Sequence, residues 1–128
     1  MASSNITILC VDDEETPRIL RKLILQKQGY QVVTAASGVE ALELLGGANI
    51  NLVLSDLMMP GMSGTELTKS VKAMRPKMPV ILISGVNEIP EDAGYADRFI
   101  SKVGGPELLF QTVIEVLEEY GHGVSADK

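Results

Sequence analysis

The sequence has no tryptophan and only two phenylalanines and three tyrosines, so aliphatic side chains must fill its core. It has a single cysteine, Cys10, which rules out an internal disulfide and the small disulfide-stapled folds of oxidising compartments. Within the apolar run ITILCV, Cys10 reads as a small core residue, not a reactive thiol. No run of basic residues occurs and the formal net charge is −6, which argues against nucleic acid as a direct partner. The apolar runs are strand-sized and far short of a membrane span. The N-terminal MASSN leads through ITILCV into DDEE, which is not the pattern of a signal peptide. These absences describe a reduced, cytoplasmic chain with no membrane partner.

What is present suits one domain. The 128 residues are 45% hydrophobic and 22% charged, ordinary for a globular protein. Residues 1–128 are expected to form a single domain with its core at about 6–119, and 121–128 read as a tail in which His122 is an inert residue. Short apolar runs alternate with segments of helical period. ITILCV (6–11) is a first strand. Thr16 and Pro17 signal a helix start, Leu20, Leu23 and Ile24 supply an apolar stripe, and Gly29 closes the helix. YQVVTA (30–35) is a second strand, followed by a helix in which Ser37 and Glu40 have capping-box spacing and Ala41, Leu44 and Leu45 form the buried face.

The third strand lies in LVLSDLMMPGMSG (52–64), where Pro60 and Gly61 mark a turn. Ser63 and Glu66 repeat the capping box, with Leu67, Val71 and Met74 on the next apolar face. PVILIS (79–84) and DRFIS (97–101) read as the fourth and fifth strands. Pro106 opens a last helix that buries Leu109, Val113, Val116 and Leu117 and turns Glu115, Glu118 and Glu119 to solvent. Between the fourth and fifth strands, Pro90 and Gly94 leave room for only a short or irregular helix. Strands alternating with helices imply an α/β fold, a doubly wound five-stranded parallel sheet covered on both faces.

In such a sheet, ligands bind outside the carboxyl ends of the strands, near a topological switch point. Strand one ends in Asp12 and Asp13, strand three in Asp56, strand four in Ser84, and Lys102 follows strand five. Each has an ordinary structural reading. Asp12 and Asp13 can cap a helix, Asp56 can precede a turn, Ser84 can end a strand, and Lys102 can be a solvated charge. Their joint placement at successive strand ends favours function. Clustered carboxylates repel, and a hard divalent cation relieves the strain; few carboxylates with open water positions suit Mg²⁺ better than Ca²⁺. Lys102 and Ser84 can meet phosphate oxygens. Asp56, a carboxylate at the mouth of an apolar strand, then reads as a nucleophile activated by position and metal.

The motifs VDDEE, SDLMMPGMSG, LISG and FISK resemble those of the receiver domain of two-component response regulators, the family of the bacterial chemotaxis regulator. The resemblance runs from Ile6 to about Glu119. It implies the flavodoxin-like strand order 2-1-3-4-5 and a signalling switch, not a true enzyme, with limited self-phosphorylation and self-dephosphorylation. Asp56 would be the phosphoacceptor, receiving a phosphoryl group from a sensor histidine kinase or phosphotransfer protein. Asp13 would ligate Mg²⁺ (or Mn²⁺) directly, Asp12 partly through water, and Met58 through its backbone carbonyl. Ser84 would be the switch hydroxyl, Phe99 the switch aromatic that moves with it, and Lys102 the partner of the phosphoryl oxygens. Phe99 reads equally as a core residue of strand five. The downstream partner is expected to be a protein.

Two departures from the family pattern stand out. The family usually has proline after the lysine, commonly with a cis bond, whereas Val103, Gly104 and Gly105 follow Lys102 here. Because a non-proline cis bond costs about 2.5–4 kcal/mol, a trans bond in a rearranged glycine loop is expected. The Ser84–Lys102 stretch is also shorter than the family spacing by about one helical turn, giving a shortened fourth helix. A Mg²⁺-dependent phosphatase of the haloacid dehalogenase type is the enzyme alternative. It uses an acidic residue two positions after the nucleophile, where Met58 stands here. A pseudo-receiver that binds partners without phosphorylation is the other alternative, and the complete set of Asp12, Asp13, Asp56, Ser84 and Lys102 argues against it. Met58 and Val86 are the two apolar residues expected to flank the path of a hydrolytic water. Met1 favours a stand-alone chain over a domain excised from a hybrid kinase.

Overall fold

Five strands, β1 (Thr7–Val11), β2 (Gln31–Ala35), β3 (Leu52–Asp56), β4 (Val80–Ser84) and β5 (Arg98–Ser101), pair in parallel in the order β2-β1-β3-β4-β5. The computed structural model describes residues 5–85 and 95–121. Four helices are described: α1 (Glu15–Lys27), α2 (Gly38–Gly47), α3 (Gly64–Met74) and α4 (Gly105–Glu119). The shortened helix expected between β4 and β5, Val86 and His122 lie outside the described residues.

Strand alternation explains the layering. Leu9, Val11, Val53, Val80 and Leu82 point to one face and pack with Ala41 and Leu45 of α2 and Leu67 and Val71 of α3. Ile8, Cys10, Leu52, Leu54, Ile81 and Ile83 point to the other and pack with Leu25 of α1 and Leu109, Val113, Val116 and Leu117 of α4. The inner strands β3 and β4 are buried at every residue, as expected of a parallel sheet covered on both sides. Cys10 is fully buried, and burial pushes its thiol up to about 12, so it stays a neutral core group at physiological pH.

The α3 capping box is complete: Ser63 Oγ accepts from the Glu66 N–H at 3.1 Å, and Glu66 accepts from the Ser63 N–H at 3.0 Å. At α2, Ser37 caps Glu40 at 3.1 Å, while the Glu40 carboxylate reaches one residue further back, to the Ala36 N–H. Three sequence expectations need correction. Helix α1 starts before Thr16, with Glu14 as its N-cap and Pro17 inside the first turn. Its apolar stripe is also rotated: Leu25 is the buried residue and Ile24 is partly covered, whereas Leu20 and Leu23 are 57% and 50% exposed. Arg21 takes the inward position one turn before Leu25, where it meets Asp12. Burying those two residues together rolls Leu20 and Leu23 outward. Met74, at the end of α3, is exposed because the helix stops there.

Candidate functional site

Register alone brings the chemistry to one rim. Val11 lies opposite Ser55, so Asp12 emerges beside Asp56. Asp56 lies opposite Ile83, so Ser84 is the next residue up, and Ser84 lies opposite Ser101, which precedes Lys102. Strand order reverses around β1, since β2 lies on one side of it and β3 on the other. The rim between β1 and β3 is therefore the crevice where open α/β sheets bind ligands.

Asp12, Asp13 and Asp56 each present a carboxylate oxygen there, all within 4.8 Å of one another. Asp12 and Asp56 are buried and Asp13 is exposed. An all-oxygen donor set with one open side fits a hard divalent cation. Burial is the largest influence on Asp56 and raises its carboxyl above the ordinary value. The Lys102 hydrogen bond and charge oppose that rise, and repulsion from Asp12 adds a smaller increment in the same direction as burial. The Lys102 Nζ lies 2.8 Å from Asp56 Oδ1.

The segment after Lys102 is a 3-10 turn over Lys102–Gly104, with the Lys102–Val103 bond trans. Ser101 Oγ accepts from the Val103 N–H at 3.2 Å, and Gly105 takes a left-handed φ of 82° that lets the chain turn into α4. The glycines thus replace a proline-dependent bend, and Lys102 still reaches Asp56. Ser84 is buried at the rim, 1% exposed. Phe99 is half-buried and packs on the α2–α3 side of the sheet, where it is part of that core. Met58 follows β3 by two residues and is 71% exposed, so its side chain stands in solvent above the rim.

Three contributors were not evident from the sequence. Gly64 begins α3 directly against β3: a Cβ there would lie 2.4 Å from the Asp56 carbonyl oxygen, so any side chain would displace the strand end that carries Asp56. Arg18 Nη1 donates to the Asp12 carbonyl at 2.9 Å, and Arg21 Nη1 donates to Asp12 Oδ2 at 3.0 Å. Asp12 Oδ1 accepts from the Glu14 N–H at 3.0 Å. Asp12 thus braces the turn into α1 through the N–H of Glu14, the N-cap residue, and is not itself the cap. Arginines three apart on one helical face, within an apolar stripe, were the available signal.

A family model described as the response regulator receiver domain matches residues 8–114. The chain belongs to the response regulator receiver family. Among similar proteins, the transcriptional regulatory protein GlrR of Escherichia coli (strain K12) is 34% identical over 116 residues, 88% of this chain and 26% of that protein. Sporulation initiation phosphotransferase F of Bacillus subtilis (strain 168) is 38% identical over 85 residues, 66% of this receiver and 68% of that protein. The receiver thus spans about a quarter of the first relative. Among solved structures, response regulator TrrA from Thermotoga maritima in complex with Mg(2+)-BeF superposes with a TM-score of 0.83 at 32% identity, covering 88% of this chain and 99% of that one. TrrA in complex with histidine kinase ThkA matches with a TM-score of 0.81 at 32% identity, covering 88% and 98%. The strand order is that expected from the family resemblance, and the protein is a receiver domain of two-component signalling. Among the described residues, no helix is long and apolar enough to cross a membrane.

Proposed function

We propose that this receiver takes a phosphoryl group from a phosphohistidine onto Asp56 and changes conformation in response. The observation that carries this reading is Asp56 itself: a buried carboxylate with raised pKa, held by Lys102 and grouped with two further carboxylates at the switch point. Asp12, Asp13, Asp56 and the Met58 carbonyl would hold a Mg²⁺ or Mn²⁺ ion, which when bound offsets charge on the transferring phosphoryl group.

The chain's own groups do the rest. A carboxylate oxygen of Asp56 forms a bond to phosphorus as the N–P bond of the donor breaks, its electron pair returning to the imidazole nitrogen. Lys102 already hydrogen-bonds to Asp56 and follows the charge onto the new phosphoryl oxygens. Ser84, one residue beyond the strand position opposite Asp56, donates to another oxygen, and Phe99 on the adjoining strand moves with it.

The donor would dock on the groove between α1 and α4. Pro17, Leu20, Ile24, Ile100, Pro106 and Leu109 line it, and it opens beside Lys102. Leu20 is 57% exposed at the groove, and a phosphohistidine protein must approach this rim to reach Asp56. That a similar receiver was crystallised with a histidine kinase supports a kinase donor. The test is loss of label from a phosphorylated histidine kinase or phosphotransfer protein on mixing. Leu20→Asp should slow that transfer yet leave labelling by a small acyl phosphate unchanged. Equal slowing with both donors would contradict the docking assignment.

A further inference from the structure

The position of Arg21 in α1 has a consequence for the divalent cation. The Asp12 side chain is 1% exposed and both its oxygens are engaged: Oδ2 by Arg21 Nη1 at 3.0 Å, and Oδ1 by the Glu14 N–H at 3.0 Å. The Arg21 side chain is itself 10% exposed, so little solvent screens this pair. A guanidinium keeps its charge at every pH at which the protein folds.

We propose that Arg21 is a built-in counter-cation that lowers the affinity of the Asp12–Asp13–Asp56 cluster for divalent metal. The three carboxylates face Arg21 on Asp12 and Lys102 on Asp56, with Arg18 at the Asp12 backbone carbonyl, and Arg21 is the cation paired directly with an Asp12 carboxylate oxygen. Removing Arg21 deletes one positive charge from beside the cluster and leaves the three carboxylates unchanged. Arg21 also holds the Asp12 carboxylate to one side, with an oxygen already committed, which favours contact with the metal through water over direct ligation. It is a positioning residue for the site, and it would set the Mg²⁺ concentration at which the receiver becomes competent.

This inference rests on the reading that the three aspartates hold the metal. The test is calorimetric titration of the whole chain with Mg²⁺ at neutral pH, comparing the parent with Arg21→Gln and Arg21→Lys. Glutamine retains a donor toward Asp12 without the charge, and lysine retains the charge without the planar fork. Arg21→Gln should bind Mg²⁺ about tenfold more tightly, the order expected from removing one charge near a divalent ion. Arg21→Lys should stay close to the parent. If Arg21→Gln melts below the titration temperature, the rise in melting temperature with added Mg²⁺ replaces calorimetry, and a larger rise than the parent's supports the proposal. Affinity in Arg21→Gln equal to or weaker than the parent's, or an equal gain in Arg21→Lys, overturns it and leaves Arg21 a stabilising residue only. A parent that shows no response to Mg²⁺ overturns both the metal reading and this inference.

Discussion

The Lys102 ammonium sits 2.8 Å from Asp56 Oδ1, and even this contact does not bring the Asp56 carboxyl down to its ordinary range. A folded-state pKa above the unfolded value means that ionised Asp56 opposes folding at neutral pH, and that this cost fades as pH falls through the raised value. Asp56→Asn keeps the shape and removes the charge. In the absence of metal it should raise the melting temperature at pH 7 by a few degrees, with the difference shrinking in acid. A variant no more stable than the parent at pH 7 would contradict this account of the site.

The opposite end of the sheet behaves in the opposite sense. Lys72 Nζ donates to the Met78 carbonyl at 2.7 Å, to Asp97 Oδ2 at 2.8 Å and to the Tyr120 hydroxyl oxygen at 3.2 Å. Burial alone would raise Asp97, but hydrogen bonds from Lys72, Tyr120 and the Val80 N–H outweigh it and hold the carboxyl below its ordinary 3.8. A lowered folded pKa contributes stability above the unfolded value, and that contribution is lost as pH falls through the folded value. Lys72→Met should cost about 2 kcal/mol at pH 7 by denaturant unfolding, with the loss narrowing below about pH 4. A variant of parental stability at pH 7 would show that the network contributes nothing.

Asp12 and Asp13 should differ as metal ligands. Asp12 has partners on both oxygens, whereas Asp13 is exposed at the open side of the cluster. Asp13→Ala should therefore weaken Mg²⁺ binding more than Asp12→Ala, by calorimetric titration. Equal losses would remove the distinction between direct and water-mediated ligation.

The exposed Met58 bears on how long the phosphorylated state lasts. A thioether cannot donate a hydrogen bond to a water approaching in line behind phosphorus, and it is bulky enough to obstruct that path. Met58→Asn should speed loss of the phosphoryl group, by about three- to tenfold, because an amide orients the water. The check is the decay of phosphorylated protein after donor removal. A decay no faster than the parent's would place control of lifetime elsewhere.

The strands, the serine caps of α2 and α3 and the rim residues were legible because each rests on a local rule. Two-sided burial makes β3 and β4 read as apolar runs, and a residue just past a strand end must lie on the rim. The roll of α1 was not legible, because Arg21 lies inward where periodicity favours Leu20 and Leu23. The inward place of a charge can be read only when its partner is known, and Asp12 is nine residues away, just past the end of β1. Gly64 was hidden for a similar reason: its need is set by the Asp56 carbonyl, a contact made only once α3 docks on β3.

The measurement that tests the central claim most directly is the intact mass of the protein after incubation with Mg²⁺ and a small acyl-phosphate donor. The parent should gain the mass of one phosphoryl group, the gain should require the metal and disappear with hydroxylamine, and Asp56→Asn should show none. Equal labelling of Asp56→Asn, or a parent that takes up no phosphoryl group with Mg²⁺ present, would contradict Asp56 as the phosphoacceptor.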